Sequence, residues 1–275
     1  MIRAPRSKKD KKQLIMRQRD RKMNQSRLLT ILGCFCSGLL TATAIAQTNQ
    51  APWVSLFNGK DLTGWTLKGS TGVVWVQDGQ INCHQTTNTT EHTFVCTEAR
   101  YGDFILEVDC KMDGAFNSGI LFRCVDVPES AKLFKPGKTG PSCLNGYQVK
   151  IDPTPRKWTG GIFDDFGPDW LWYYSLEKDV RAQEAFKIAG WNTFRVEAIA
   201  KDIKVWVNGV PTTHLTHGKY SAGYIAFKIH ALGNKPDQEK VLCHFKNVRI
   251  ITADPARFAQ PMDLPARTAL PPETK

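Results

Sequence analysis

Short runs in which apolar and polar residues alternate, each closed by a tight turn, constrain this chain more than any other feature. Period-two alternation puts every second side chain on one face, which is the pattern of a strand with one buried side and not of a helix. Trp75-Val76-Gln77, Asp78-Gly79 and Gln80-Ile81-Asn82 read as a hairpin with a two-residue turn, and Val205-Trp206-Val207 followed by Asn208-Gly209 opens a second. Longer strands are expected over Phe104 to Met112, Gly119 to Val125, Gly146 to Asp152, Trp191 to Ala200, Gly223 to His230 and Val241 to Ile251. Helical periodicity is brief, from Ser175 to Ala185. About ten or more antiparallel strands in roughly 200 residues predict an all-β sandwich of two sheets, with the antiparallel jelly roll as its leading form.

The net charge of +11 suggests a nucleic-acid or membrane partner until it is located. Residues 1–27 hold eleven of the 37 Lys and Arg against Asp10 and Asp20, so the chain beyond them is close to neutral and carries no electrostatic case for nucleic acid. An uncharged apolar stretch follows from Leu28 to Ala46, ending Ala44-Ile45-Ala46. A basic head, an apolar run and small residues before the cut make a secretory signal peptide over residues 1–46, with cleavage after Ala46. Met23 or Met16 as the true start would give it ordinary proportions. An uncleaved anchor is the competing reading, weakened by Gly38, Thr41 and Thr43. A secreted or periplasmic protein with no stable membrane span after cleavage is therefore expected. Oligomeric state is not legible.

Six cysteines remain after cleavage, and an oxidising compartment permits disulfides among them. Cys83 with Cys96 suits a bridge across a hairpin, while Cys110 continues the apolar face of Phe104, Leu106 and Val108 and is either bridged or a buried thiol. Residues 253–275 hold five prolines and read as an extended tail. No internal repeat is found.

Alternation also sorts the polar residues. In Gly146 to Asp152, Tyr147, Val149 and Ile151 face one way and Gln148, Lys150 and Asp152 the other. Tyr224, Lys228 and His230 alternate with Ile225, Phe227 and Ile229, and Arg123 alternates with Phe122 and Cys124 just after the turn Gly114 to Asn117. The segment Trp158 to Trp172 adds Asp164, Asp165 and five aromatic residues, Trp170 among them. A solvated sheet face produces such alternation in any sandwich. Three strands with bulky polar side chains beside an aromatic segment favour a groove, because a sugar ring stacks through its C–H face and needs fixed partners for its hydroxyls. Nucleophile-elbow, zinc-protease and phosphate-loop patterns are absent. His84, His92, His214 and His217 read as surface residues; His230, beside Lys228, is the candidate proton shuttle.

Several segments together resemble a known family. Ser55-Leu56-Phe57-Asn58-Gly59-Lys60-Asp61-Leu62-Thr63-Gly64-Trp65, Tyr101-Gly102-Asp103-Phe104, Asn117-Ser118-Gly119-Ile120 with Arg123, Gly146-Tyr147-Gln148, Thr159-Gly160-Gly161-Ile162-Phe163-Asp164, Gly190-Trp191-Asn192, Val207-Asn208-Gly209 and Phe245-Lys246-Asn247-Val248-Arg249-Ile250 occur in family order. Over residues 53–252 the chain resembles the 3-keto-disaccharide hydrolases. The resemblance implies a concanavalin A-like sandwich acting on glycosides oxidised at C3. Many members have Glu where Gln148 stands and Gln where Lys150 stands, so a carboxylate role here moves to Asp152, Asp164 or Asp165.

A C3 ketone acidifies the C2 proton, so the bond at C1 can break by elimination followed by hydration. That chemistry needs a base, for which His230 or Asp152 is expected, and cations at the enolate, expected to be Arg123 and Lys150. Asn117 and Gln148 would hold hydroxyls, with Lys228 and Trp170 also lining the substrate, and Asp164 or Asp165 would protonate the leaving oxygen. No cofactor is required by the sequence, although a divalent metal can replace the cationic side chains. Direct hydrolysis by two carboxylates is the rival mechanism. A non-catalytic carbohydrate-binding module is the rival class, and an interaction domain the third.

Overall fold

The turn residues do what their positions demand. Asp78 and Gly79 have φ of 55° and 72°, and Asn208 and Gly209 have 51° and 77°. Two successive left-handed residues give the turn whose twist matches paired strands, which is why Asn or Asp followed by Gly closes both hairpins. The computed structural model describes residues 50–127, 133–135, 138–139, 143–164, 171–176 and 179–268. The leader, Asp165 and Trp170 lie outside the described residues.

Strands are β1 (Val54–Ser55), β2 (Trp65–Gly69), β3 (Val73–Gln77), β4 (Gln80–His84), β5 (Thr93–Thr97), β6 (Phe104–Met112), β7 (Ser118–Asp126), β8 (Leu133–Lys135) and β9 (Lys138–Thr139). They continue as β10 (Leu144–Ile151), β11 (Ile162–Asp164), β12 (Leu171–Tyr174), β13 (Asn192–Ile199), β14 (Asp202–Val207), β15 (Val210–Thr216), β16 (Tyr224–Ile229), β17 (Cys243–Ile251) and β18 (Arg267–Thr268). One sheet of nine strands runs β18-β15-β14-β13-β6-β17-β4-β3 with β1 also on β17. The other, of seven strands, runs β12-β11-β10-β7-β16-β5-β2. Pairing in both is antiparallel except for β15 with β18. The fold is an antiparallel jelly-roll sandwich.

The core lies between the sheets. Phe227 of β16 stacks on Phe245 of β17 with ring centroids 4.1 Å apart, and Trp65 of β2 stacks on the same Phe227 at 5.2 Å. The alternating set Tyr147, Val149 and Ile151 joins that core, as do Leu106, Val108 and Cys110 of β6. A second, smaller apolar cluster of Phe94, Cys96, Leu121, Cys124, Leu144 and Ala226 lies on the other face of the seven-stranded sheet.

Three expectations are corrected. Cys83 sits on β4 opposite Cys243 of β17, whereas Cys96 belongs to the other sheet, so no hairpin joins them. The six described cysteines carry thiols, and Cys110 is a buried one, its pKa raised by burial. The expected helix contracts to α1 (Val180–Gln183), because Asp179 caps it by accepting from the Ala182 N–H at 2.9 Å and starts it late. The tail is extended but docked: Phe258 O accepts from Arg195 Nη2 at 3.0 Å, Gln260 N–H donates to Glu197 at 2.9 Å, and β18 adds to the sheet edge. Among the described residues no helix is long and apolar enough to cross a membrane.

Candidate functional site

Register brings most of the candidate residues to one face. Directly opposed residues on neighbouring strands project to the same side. Gln148 of β10 opposes Leu121 of β7, which opposes Ala226 of β16. In the next row, Lys150 opposes Gly119, Gly119 opposes Lys228, and Lys228 opposes Phe94 of β5. One step beyond the last paired residues, Asp152, Asn117, His230 and His92 follow in the same order. Asn117, Gln148, Lys150, Asp152, Lys228 and His230 thus share the face of the seven-stranded sheet turned away from the core.

Gly119 makes the centre of this face. With strands about 4.8 Å apart, Lys150 and Lys228 flank it from backbones about 10 Å apart. A Cβ on Gly119 would lie 2.7 Å from Cγ and Cδ of Gln148, so the glutamine lies across the space the glycine leaves. Gln148, Lys150 and Lys228 are 1%, 1% and 0% exposed. Lys150 Nζ donates to Asn117 Oδ1 at 3.2 Å and sits 4.7 Å from the centre of the Phe163 ring, which opposes Gln148 on β11. Neither amide atom of Gln148 has a hydrogen-bond partner among the described residues. An unsatisfied buried amide costs about 1–3 kcal/mol.

The histidines sit at the edge of this cluster. His230 Nδ1 lies 2.6 Å from the Ala231 carbonyl oxygen, which can only accept, so Nδ1 carries a proton and the basic lone pair belongs to Nε2. His92 Nδ1 accepts from the Ala231 N–H at 2.9 Å, and the two rings stand 4.4 Å apart. His92 is buried, not at the surface as expected, because the residue before β5 falls in register with the end of β16. It is the neighbour that sequence reasoning missed; the strand register was the signal that could have found it.

Three candidates are held differently. Asp152 is buried, with Arg156 at 2.6 Å and the Thr154 hydroxyl at 2.6 Å on its carboxylate, so it anchors the turn after β10. Arg123 leaves the shared face altogether. The β-bulge in β7 sets its φ at 49°, and its guanidinium donates to the carbonyls of Gly102, Ala198 and Ala200 and to Asp103 at 2.8–2.9 Å. Asp164 also faces away, next to Phe163 on β11. It accepts from the Tyr220 hydroxyl at 2.7 Å in a group where Tyr147 OH lies 2.8 Å from His217 Nδ1. Burial, and then the charge of Lys219, push the His217 pKa below its usual 6.5. Among the described residues no group of three His, Cys, Asp or Glu could hold a metal ion.

Comparison with known proteins follows the same lines. Residues 52–251 match the model of a family described as the 3-keto-alpha-glucoside-1,2-lyase-like domain. A presumed glycosyl hydrolase from Parabacteroides distasonis ATCC 8503 superposes with a TM-score of 0.51 at 20% identity, covering 74% of this chain and 94% of that one. A second from the same organism gives 0.48 at 19%, covering 73% and 99%. The carbohydrate binding module CBM66 from Bacillus subtilis gives 0.46 at 16%, covering 67% and 93%. The first of these likenesses bears on the fold alone. No curated protein matches the chain by sequence.

Proposed function

Since the chain belongs to the 3-keto-alpha-glucoside-1,2-lyase-like domain family, we propose that it cleaves glycosides already oxidised to a ketone at C3, by elimination across C1 and C2 with water added afterwards. The observation that carries this reading is the pair of buried lysines astride Gly119, beside an amide with no partner among the described residues and an imidazole of fixed tautomer. His230 Nε2 removes the C2 proton. The C–H electron pair forms the C2–C3 double bond and leaves negative charge on the C3 oxygen, which Lys150 and Lys228 stabilise. Collapse of this enolate restores the ketone, makes the C1–C2 double bond and expels the oxygen at C1. That oxygen takes a proton, for which Asp165 is the candidate now that Asp164 is turned away. Gln148 and the Asn117 amide nitrogen hold substrate hydroxyls. Lys228 replaces Arg123 in the cation pair, and His230 is preferred to the ion-paired Asp152 as base.

The leader supports an exported protein beginning at Gln47. N-terminal sequencing that starts upstream of Leu28 overturns cleavage.

The decisive assay is turnover of a 3-keto-glucoside, with and without chelator, by wild type, His230→Ala, Lys228→Met and Asp152→Asn. His230→Ala is expected to lose at least about a hundredfold in kcat, the usual worth of a positioned base. Lys228→Met should lose a similar factor, and Asp152→Asn far less. Equal cleavage by all four sinks the assignment. In deuterated water, exchange of the C2 hydrogen marks elimination, and its absence marks direct hydrolysis. Saturable glycan binding with no product from oxidised or ordinary glycosides identifies a binding module instead.

A further inference from the structure

A cleft lies on the opposite side of the sandwich from Lys150 and His230. It is about 520 Å³ and lined in part by Trp53, Glu107, Asp109, Thr193, Asn247 and Arg249, on the outer face of the nine-stranded sheet. That volume falls in the range of sites that enclose small ligands. Nothing in the proposed reaction uses any of these residues.

Local backbone geometry builds the cleft. Lys246 opposes Asp109 and Arg249 opposes Glu107, so β17 spends two residues, Asn247 and Val248, where β6 spends one. This bulge holds Asn247 at φ 51°, and its amide donates to Asp109 Oδ2 at 2.7 Å. A bulge that re-aims a side chain, with a non-glycine residue held left-handed, is a feature that recurs at sites of function. The Thr193 hydroxyl donates to Asp109 Oδ1 at 2.7 Å. Among the described residues each oxygen of Asp109 therefore has one donor, and a carboxylate oxygen can accept two.

Charge decides the class of ligand. Glu107 is neutralised by Arg195 at 2.9 Å and by Arg249 at 2.5 Å. Asp109 has no cation within ion-pair distance among the described residues. An unneutralised, half-exposed carboxylate accepts hydroxyls and repels anions. Trp53 is half-exposed, and the Arg249 guanidinium, 4.4 Å from its ring centre, fixes the indole at the cleft wall. An aromatic wall beside a carboxylate, an amide and a hydroxyl is what a neutral pyranose requires.

We propose that this cleft is a second, non-catalytic saccharide site that binds a neutral hexose unit of a glycan, independently of the face bearing His230. Asp109 and Asn247 would take the hydroxyls and Trp53 the ring.

The full mature chain is run in native gels containing soluble starch, xylan or mixed-linkage β-glucan, with alginate as the anionic control. Retardation in at least one neutral gel is expected, and it should persist in His230→Ala. Trp53→Ala and Asn247→Gly should weaken it at least tenfold while leaving 3-keto-glucoside turnover unchanged. Asn247→Gly guards against misfolding as the cause, because glycine adopts φ 51° more readily than asparagine and its melting temperature should not fall. No retardation in any neutral gel, retardation in alginate alone, or retardation that survives both variants overturns the site. Loss in His230→Ala alone would also overturn it, by placing the binding on the other face.

Discussion

A methyl group on Gly119 would displace Gln148, because its carbon would lie 2.7 Å from two carbons of that side chain. The neighbour is a side chain and not backbone, so Gly119→Ala should alter stability by about 1 kcal/mol or less while moving the amide out of place. Turnover of a 3-keto-glucoside is expected to fall about tenfold, chiefly through KM, with the midpoint of urea unfolding little changed. His217 gives a pH signature. Its folded-state pKa lies below the unfolded value of 6.5, so the unfolded chain binds the proton first and stability falls as pH drops below 6.5. Melting temperature followed from about pH 7 to about pH 5 should decline more steeply in wild type than in His217→Asn. At this scale the sequence was a partial guide. Alternation placed Gln148, Lys150 and Lys228 together, but the role of Gly119 depends on what lies across it from another strand, and local pattern does not record that. The inward turn of Arg123 depends on one left-handed residue in a bulge, and a run that still alternates on either side hides it.

Strands were more legible than sites. The expected run from Phe104 to Met112 is β6 residue for residue, and the others differ by a residue or two at their ends. These boundaries follow from turn chemistry and apolar alternation, both local. What alternation does not fix is register, which put His92 beside His230 and turned Asp164 away from Gln148. Arg123 acts between elements, since its guanidinium ties the β7 bulge to the end of β13 through the carbonyls of Ala198 and Ala200. Removing it takes a donor from the carbonyls of Gly102, Ala198 and Ala200 and empties the buried space that its side chain fills. Arg123→Ala should therefore destabilise the protein by about 3 kcal/mol, read as a lower urea midpoint. Arg123→Lys should recover only part, since an ammonium cannot donate in that fork.

The whole sandwich depends on its tail. Residues 255–268 bond to Arg195 and to one oxygen of Glu197 and, through the Leu264 carbonyl, take a bond from His214 at 2.6 Å. Ending the chain at Ala253 should remove about 3 kcal/mol and lower the melting temperature by about 10 °C, measured by calorimetry. The five prolines announced an extended segment, and an extended segment can dock as readily as it can wander; composition does not distinguish the two.

Strand order sets a timetable as well as a shape. β17, near the end of the chain, lies between β6 and β4, and β1 pairs with it too. The nine-stranded sheet cannot close around its middle until residue 251 has been synthesised, and contacts so distant in sequence form slowly. A nascent chain of this topology stays pliable for nearly all of its translation, which is the state required to thread a narrow channel.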